Sequence, residues 1–195
     1  MRVMAHPLHT FLFADLVGFT ALTELHGDEV AADVAIRFAE EADRLAAEHG
    51  ATTVKQIGDA VMFRTDDAAD ALALGTRIHD ELGPAAGLPP AHAGAHTGHA
   101  VQRGGDWFGS AVNLAARVTD AARGGELLVT EATLAAAGDV PGFDIDALGP
   151  QAFKNVAGQT PVYAVRSAAP SLERRPAPVA PVLTWRPRPA AAVAG

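Results

Sequence analysis

The pattern of apolar and polar positions predicts three helices that each present one apolar side to a sheet. Two are Asp28–His49 and a helix that opens with Thr65, Asp66 and Asp67. The third is Ser110–Ala122. Their stripes comprise Val30, Val34, Phe38, Ala42 and Leu45 in the first helix, Ala71, Leu74, Ile78 and Leu82 in the second, and Ala111, Leu114, Ala115 and Val118 in the third.

Short apolar runs between the helices predict strands. These runs are Thr10–Asp15, Thr52–Ile57, Ala60–Arg64, Pro89–Ala100, Glu126–Thr130 and Pro161–Val165. Gly58 and Asp59 join the second run to the third, and because glycine adopts the backbone angles that a tight turn needs, they predict a hairpin. The alternation of strands and helices indicates an α/β or α+β sandwich, in which helices pack on a sheet.

Composition excludes several classes of protein. The 195 residues include 15 lysines and arginines against 23 aspartates and glutamates, a net charge of −8, which argues against nucleic acid as a partner. The absence of cysteine excludes a disulfide framework and a thiolate nucleophile. No apolar run reaches the roughly 18 residues of a membrane span, and the first ten residues lack the apolar core of a signal peptide. We therefore expect a cytoplasmic protein without membrane association.

Proline and charge divide the chain unevenly. Six of the 13 prolines lie between Pro170 and Pro189, and Ser171–Gly195 carries four arginines and one glutamate. Such a composition favours extended, solvated chain over packed elements. We therefore expect a folded domain at residues 8–168 and a flexible Pro/Ala-rich tail at residues 169–195.

Two aspartates lie at predicted strand ends. Asp15 ends the first strand and Asp59 lies at the tip of the hairpin, where each is either a local cap or turn residue or part of a site. Together they suit a hard divalent cation, since Mg²⁺ binds one or two carboxylates and completes its shell with phosphate and water. After Asp15, the residues Gly18, Phe19 and Thr20 place backbone N–H groups at a helix start, which is either a plain turn or a place for phosphate.

The helix Ser110–Ala122 carries a polar pair, Asn113 and Arg117, which project together because they are four residues apart. A solvated face and a bound phosphate or sugar explain the pair equally well, since arginine suits phosphate charge. The chain has 13 arginines but only two lysines, Lys55 and Lys154. Each lysine either marks a site that needs a compact ammonium group or reflects drift.

Three histidines, His92, His96 and His99, are close enough in sequence to resemble a metal cluster. On a strand, however, the side chains of His92 and His96 point to one face and that of His99 to the other. We therefore interpret them as unligated histidines near a sheet edge.

Taken in order, several segments resemble the signature blocks of the class III nucleotidyl cyclases. The three main blocks are FADLVGFT (Phe13–Thr20), KQIGDAVMF (Lys55–Phe63) and GDWFGSAVNLAARV (Gly105–Val118). Later strands of the family are matched by HTGHAV (His96–Val101) and FKNVAGQTPVYAV (Phe153–Val165). The resemblance implies a ferredoxin-like α/β sandwich with a central, mostly antiparallel sheet flanked by helices, related to polymerase palm domains.

The resemblance also implies roles for the candidates near the first two blocks. Asp15 and Asp59 correspond to aspartates that hold two divalent cations, Mg²⁺ or Mn²⁺. The backbone of Gly18, Phe19 and Thr20 would meet the triphosphate of the substrate.

The other candidates correspond to positions that contact the nucleotide. Lys55 and Asp106 would read the purine, Asn113 would hold the ribose, and Arg117 would stabilise charge on the α-phosphate. Lys154 corresponds to a phosphate-contacting lysine. The family builds each site from both protomers, so the resemblance implies a homodimer with composite active sites.

The implied reaction is attack of the ribose 3′-hydroxyl on the α-phosphorus, which gives a cyclic 3′,5′-monophosphate and pyrophosphate. Adenine offers an acceptor at N1 and a donor at N6, whereas lysine only donates and ionised aspartate only accepts. Lys55 with Asp106 therefore matches ATP, and guanine would reverse both positions. We predict an adenylate cyclase; the alternatives are a guanylate cyclase and a non-catalytic cyclase-like module that binds nucleotide or dimerises.

Three features depart from the family pattern. Asn155 follows Lys154 where glycine is usual, which leaves the conformation of that loop open. His99 lies where some relatives have an arginine near phosphate. The stretch between Gly98 and Asp106 is short, as in bacterial members with an abbreviated dimerisation arm.

Overall fold

Nine strands and five α-helices follow one another in the computed structural model, which describes residues 7–168. The strands are β1 (His9–Leu16), β2 (Thr52–Ile57), β3 (Ala60–Thr65), β4 (Ala91–Gly98), β5 (Val101–Arg103), β6 (Asp106–Phe108), β7 (Leu127–Thr130), β8 (Phe143–Gln151) and β9 (Thr160–Ser167). The helices are α1 (Phe19–His26), α2 (Asp28–Glu48), α3 (Ala68–Glu81), α4 (Ser110–Ala121) and α5 (Glu131–Ala137). The tail predicted at residues 169–195 lies outside the described residues.

Seven of the strands form the central sheet, in the order β2–β3–β1–β4–β7–β9–β8. Neighbouring strands are antiparallel except for β4 and β7, which are parallel. The strands β1 to β4, connected through α2 and α3, have the βαββαβ connectivity of ferredoxin-like folds. The predicted fold class, a mostly antiparallel sheet flanked by helices, is confirmed.

Alternation along β1 divides the hydrophobic core between the two faces of the sheet. Leu12, Ala14 and Leu16 pack with α2 and α3 on one face, whereas Phe11 and Phe13 pack with α4 on the other. The predicted helical stripes are largely buried and form these contacts. Their fully buried members include Phe38, Ala42 and Leu45 in α2, Ala71, Leu74 and Ile78 in α3, and Ala115 and Val118 in α4.

Three features of the fold have no counterpart in the sequence analysis. The strand β8 lies at the edge of the sheet with most of its side chains exposed, and its pairing with β9 is interrupted by a bulge near Gly149. The helix α5 is short and rich in alanine. The hairpin of β5 and β6 has three residues in each strand, too few for a period to be recognised.

Gly94 on β4 lets α4 lie directly on the sheet. A Cβ atom at this position would lie 2.3 Å from the backbone nitrogen of Thr119 and 2.6 Å from its Cα. A side chain would therefore push α4 away from β4. Because α4 carries Asn113 and Arg117, this close approach also sets where those two side chains lie.

We expect Gly94→Ala to lower the free energy of unfolding by about 1–3 kcal/mol, the usual result of overpacking a core. Urea unfolding followed by circular dichroism measures the change. Gly142→Ala is the matched control, since a Cβ atom there meets nothing within 4 Å. Equal stability of Gly94→Ala and the wild type would contradict the close approach of α4.

Candidate active site

The two predicted cation ligands lie together at the end of β1. Asp15 is the penultimate residue of β1, and Asp59 lies in the turn between β2 and β3. β1 pairs with β3 so that Ala14 is opposite Val61, which brings that turn beside Asp15. The carboxyl groups of Asp15 and Asp59, the acidic pair, are within hydrogen-bonding reach of each other.

The two carboxyl groups of the acidic pair differ in acidity. Partial burial and the negative charge of Asp15 raise the pKa of Asp59 to about 6. Burial alone would raise the pKa of Asp15, but hydrogen bonds with His92 and Asp59 lower it. Two carboxylates this close repel each other when both are ionised, so a shared proton or a bound cation stabilises them.

The acidic pair fits a divalent cation by the chemistry of its oxygen donors. Within residues 7–168, no group of three or more histidines and acids has the arrangement of a metal site. The protein therefore offers two carboxylates, and phosphate and water would supply the other ligands. This is the coordination that Mg²⁺ favours at nucleotide sites.

His92 contacts the acidic pair, which the sequence analysis did not anticipate. Asp15 and His92 are opposite each other in the pairing of β1 with β4. The Nε2 atom of His92 lies 3.4 Å from Oδ2 of Asp15, and its Nδ1 atom lies 2.9 Å from the carbonyl oxygen of Ala122. The hydrogen bond with Asp15 raises the pKa of His92. His92 thereby connects Asp15 to the end of α4.

The other two histidines have separate partners. Nδ1 of His96 lies 2.8 Å from the hydroxyl oxygen of Thr130, and Nδ1 of His99 lies 3.4 Å from the carbonyl oxygen of Pro7. Burial lowers the pKa of His96 to about 4, so this side chain is neutral at pH 7.

The turn between β1 and α1 presents backbone donors. Gly18 has a left-handed backbone at φ 74°, which glycine adopts without strain, and it precedes α1 without a side-chain cap. The first hydrogen bond of the helix runs from the N–H of Leu22 to the carbonyl of Gly18. The N–H groups of Phe19 and Thr20 precede that bond and point out of the helix end, which suits an anionic group.

The predicted purine-reading residues form an ion pair, although they are 51 residues apart in sequence. Nζ of Lys55 lies 2.5 Å from Oδ2 of Asp106. The other carboxylate oxygen, Oδ1, accepts a hydrogen bond of 2.8 Å from the backbone N–H of Trp107. Lys55 and this N–H hold the pKa of Asp106 below its ordinary value. At pH 7 the Lys55–Asp106 pair therefore presents one donor and one acceptor side by side.

Asn113, Arg117 and Lys154 line one open cavity of about 350 Å³, the α4 cleft. Arg117 donates from Nη1 to Oδ2 of Asp120 at 2.9 Å, and both side chains are exposed. Asn155 also lines the cleft and has a left-handed backbone at φ 64°. Asparagine tolerates this conformation better than other non-glycine residues, so the chain turns after Lys154 as a glycine would allow.

The candidates thus assemble into four local groups: the acidic pair, the turn of Gly18, Phe19 and Thr20, the Lys55–Asp106 pair and the α4 cleft. Within residues 7–168, no side-chain hydrogen bond or ion pair joins one group to another.

The chain resembles characterised proteins in sequence and in fold. A pH-sensitive adenylate cyclase of Mycobacterium tuberculosis is 39% identical over 163 residues, which are 82% of this chain and 41% of that protein. An adenylate cyclase of Streptomyces griseus is 38% identical over 117 residues, 60% of this chain and 29% of that protein. The crystal structure of the adenylyl cyclase CyaB from P. aeruginosa superposes with a TM-score of 0.72 at 25% identity, over 85% of this chain and 97% of that one. The chain belongs to the class III nucleotidyl cyclase family.

The family membership expected from the signature blocks is confirmed, although no protein-family model matches the chain. The chain spans about two fifths of the M. tuberculosis protein and less than a third of the S. griseus protein. Within residues 7–168 no helix has both the length and the apolar character needed to cross a membrane. The roles assigned to single residues remain predictions.

Proposed function

We propose that the chain is the catalytic domain of an adenylate cyclase, which converts ATP into 3′,5′-cyclic AMP and pyrophosphate. The observation that carries this proposal is the Lys55–Asp106 pair. A donor and an ionised acceptor lie 2.5 Å apart and match N1 and N6 of adenine. The adenylate cyclases among its relatives support the same activity.

Asp15 and Asp59 would hold the divalent cations, Mg²⁺ or Mn²⁺, that membership of this family implies. Their two carboxylates repel each other when ionised, and a cation between them would remove that repulsion. When bound, such cations supply Lewis-acid activation of the attacking hydroxyl and neutralise charge on the leaving phosphates.

The chain's own residues would bind and orient the nucleotide. The amide of Asn113 would hold the ribose so that its 3′-oxygen forms a bond to the α-phosphorus, while the bond to pyrophosphate breaks and the hydroxyl proton is released. Arg117 would donate to the α-phosphate as negative charge develops there. To do so it must leave Asp120, which is easy because an exposed ion pair is worth only about 0–1 kcal/mol.

The other phosphate oxygens of the ATP triphosphate would meet two sets of donors. Lys154 lines the same cleft as Arg117 and brings a second positive charge. The N–H groups of Phe19 and Thr20, after Gly18, would contact the triphosphate at the start of α1. These donors position the substrate, and positioning and charge stabilisation dominate catalysis of phosphoryl transfer.

Two copies of the chain would complete each site. The reaction needs the acidic pair and Arg117 at the same phosphate, yet within residues 7–168 no hydrogen bond or ion pair joins the acidic pair to Arg117. The link from Asp15 through His92 ends at the carbonyl oxygen of Ala122, outside the α4 cleft. We therefore propose a homodimer in which the acidic pair of one protomer faces the α4 cleft of its partner. Such a twofold arrangement gives two equivalent composite sites.

Specific features favour this function over its alternatives. Guanine would place a donor against Lys55 and an acceptor against Asp106, which disfavours a guanylate cyclase. A cyclase-like module that only binds nucleotide has no need of the acidic pair together with an arginine in the cleft. All of these groups are present in this chain.

A turnover assay tests the proposal. We expect the purified chain to form cyclic AMP from ATP with Mn²⁺ or Mg²⁺, and to use GTP about 10-fold less well or worse, given the discrimination of one matched base contact. Both nucleotides are assayed side by side by chromatography, with Asp59→Ala as the inactive control. Equal conversion of GTP would contradict the choice of ATP. Nucleotide binding by a dimer without either product would favour the non-catalytic module.

Exchange of the base-reading residues is expected to change the substrate preference. In Lys55→Glu with Asp106→Cys, the donor and acceptor that match adenine are lost, so kcat/KM for ATP should fall at least about 10-fold while GTP gains relative to it. Steady-state kinetics with both nucleotides measures the ratio. An unchanged ATP/GTP preference in this double variant would refute the assignment of Lys55 and Asp106 to the purine.

A further inference from the structure

The side chain of Trp107 packs the hairpin of β5 and β6 against the sheet. Its ring meets His9 and Phe11 edge to face, with centroids 4.6 Å and 5.6 Å away. The guanidinium of Arg64 lies 5.4 Å from the ring centroid, within the range of a cation–π contact. A two-stranded hairpin is only marginally stable alone, so these contacts fix its position.

The residues beneath Trp107 are themselves fixed. His9 is buried at the start of β1, and Nη2 of Arg64, on β3, lies 2.8 Å from its Nδ1 atom. Arg64 also forms an ion pair with Asp66. We call His9, Phe11, Arg64 and Trp107 the Trp107 anchor. Its members come from β1, β3 and β6, so it ties the hairpin to the centre of the sheet.

The Trp107 anchor acts directly on the neighbouring carboxylate. Asp106 precedes Trp107, and the backbone N–H of Trp107 donates to Oδ1 of Asp106 at 2.8 Å. The other oxygen, Oδ2, faces Lys55 on β2, a strand of the central sheet. Lys55 is therefore placed by the sheet, whereas Asp106 is placed by the hairpin. The Trp107 anchor is one of the contacts that fix the hairpin, and thus Asp106, relative to that sheet.

We propose that Trp107 is a specificity-determining positioning residue, which holds Asp106 at the distance and orientation from Lys55 that match adenine. This inference rests on the proposed function. Without the ring, the hairpin and the carboxylate of Asp106 would sample several positions relative to Lys55. The loss should affect recognition of the base more than the chemical step, because the ring and hydrogen-bond contacts of Trp107 within residues 7–168 involve none of the phosphate-binding groups.

We expect Trp107→Ala to raise KM for ATP and to lower the ATP/GTP ratio of kcat/KM about 10-fold, the discrimination of one base contact, with a smaller change in kcat. Trp107→Phe should restore most of the ratio, because its ring still meets His9 and Phe11. Leu72→Ala is the matched control: Leu72 is fully buried on the opposite face of the sheet and touches no part of the hairpin.

The measurements are steady-state kinetics with ATP and GTP on the full chain, after circular dichroism has shown that each variant is folded. An ATP/GTP ratio in Trp107→Ala equal to that of Leu72→Ala would show a merely structural role and overturn the inference. If Trp107→Ala does not fold, Trp107→Leu serves instead, since it removes the ring that meets His9 and Phe11 but keeps an apolar side chain; an unchanged ratio in this variant overturns the inference equally.

If the proposed cyclase function itself is wrong, the experiment gives a result that differs from failure of the positioning role. A wild-type chain that forms no cyclic nucleotide would contradict the cyclase activity itself. The positioning role is then measured by binding of the fluorescent analogues MANT-ATP and MANT-GTP. A preference for MANT-ATP that falls in Trp107→Ala and returns in Trp107→Phe supports the inference, and an equal preference in all variants overturns it.

Discussion

Replacement of Arg117 by alanine is expected to lower the turnover of ATP by a factor on the order of 10³–10⁵, as removal of an arginine finger does in other phosphoryl-transfer enzymes. The guanidinium is exposed, and among residues 7–168 its ion-pair partner is Asp120 on the same helix, so it is available to the α-phosphate. The fold should be unaffected, because no buried contact is lost. The measurement is kcat with saturating ATP and Mn²⁺. Arg123→Ala, an exposed arginine beyond the end of α4, is the matched control.

The proposed composite site allows a second, sharper form of this test. Asp15→Ala and Arg117→Ala chains are each expected to be inactive, but a mixed dimer would contain one site with an intact Asp15 and an intact Arg117. Random exchange of subunits should therefore restore about a quarter of the wild-type activity, since half of the dimers are mixed and half of their sites are complete. Mixed dimers that are demonstrated by a tag yet remain inactive would contradict a site shared between protomers.

Asp59→Asn is expected to abolish turnover while it stabilises the metal-free protein at neutral and alkaline pH. Turnover should fall more than about 100-fold, because even indirect partners of metal ligands contribute 10–100-fold. The gain in stability follows from the pKa of Asp59, which burial and the charge of Asp15 raise from 3.8 to about 6 in the folded protein. The unfolded chain ionises at the lower value, so ionisation of Asp59 opposes folding.

The difference between the pKa of Asp59 in the folded and in the unfolded protein determines at which pH the variant is the more stable one. The stability that the protonated Asp59 contributes is fully present below about pH 4 and is lost as the pH rises through 6. Asparagine does not ionise, so the advantage of Asp59→Asn should appear above pH 4 and be complete above pH 6. Because the side chain is partly exposed and screened by solvent, we expect about 1 kcal/mol rather than the full electrostatic value.

Urea unfolding in EDTA at pH 4 and pH 8 measures the effect, and added Mn²⁺ should then raise the melting temperature of the wild type but not of Asp59→Asn. Asp139→Asn, at an exposed acid in the loop after α5, is the control and should change neither quantity. Equal or lower stability of Asp59→Asn at pH 8 without metal would show that the two carboxylates do not repel each other.

The elements that the sequence predicted are those with a repeating apolar period. The helices α2, α3 and α4 bury one side, and their stripes identify that side directly. The strand β8 has no such period, because it is an exposed edge strand with Gly149 and a bulge in its pairing. The helix α5 consists mainly of alanine, whose small side chain does not distinguish a buried face from an exposed one.

For the candidate site, sequence reasoning identified groups but not their neighbours. Lys55 and Asp106 were paired through the family resemblance, and the structure places them in contact. The local sequence around His92 predicts an unligated histidine near a sheet edge but does not indicate which side chain it contacts. Its contact with Asp15 depends on the register between β1 and β4, which are 75 residues apart and whose local patterns do not specify their pairing. The sequence contains one indirect signal: the segments Phe13–Thr20 and His96–Val101, which resemble cyclase blocks, overlap β1 and β4.

The separation of 75 residues is that between Leu16 and Ala91, which pair at the ends of β1 and β4.

The sequence also does not predict that Trp107 anchors Asp106, for a related reason. Packing among His9, Phe11 and Trp107 joins the start of β1 to β6, which are far apart in sequence, and no local pattern predicts which aromatic side chains meet.

The close packing of α4 against Gly94 fixes the position of Asn113 and Arg117 relative to the sheet of the same chain. In the proposed homodimer, a rotation of one protomer against the other would therefore move the acidic pair of one away from the α4 cleft of its partner. Such a rotation would disable both composite sites without a change of conformation in either protomer.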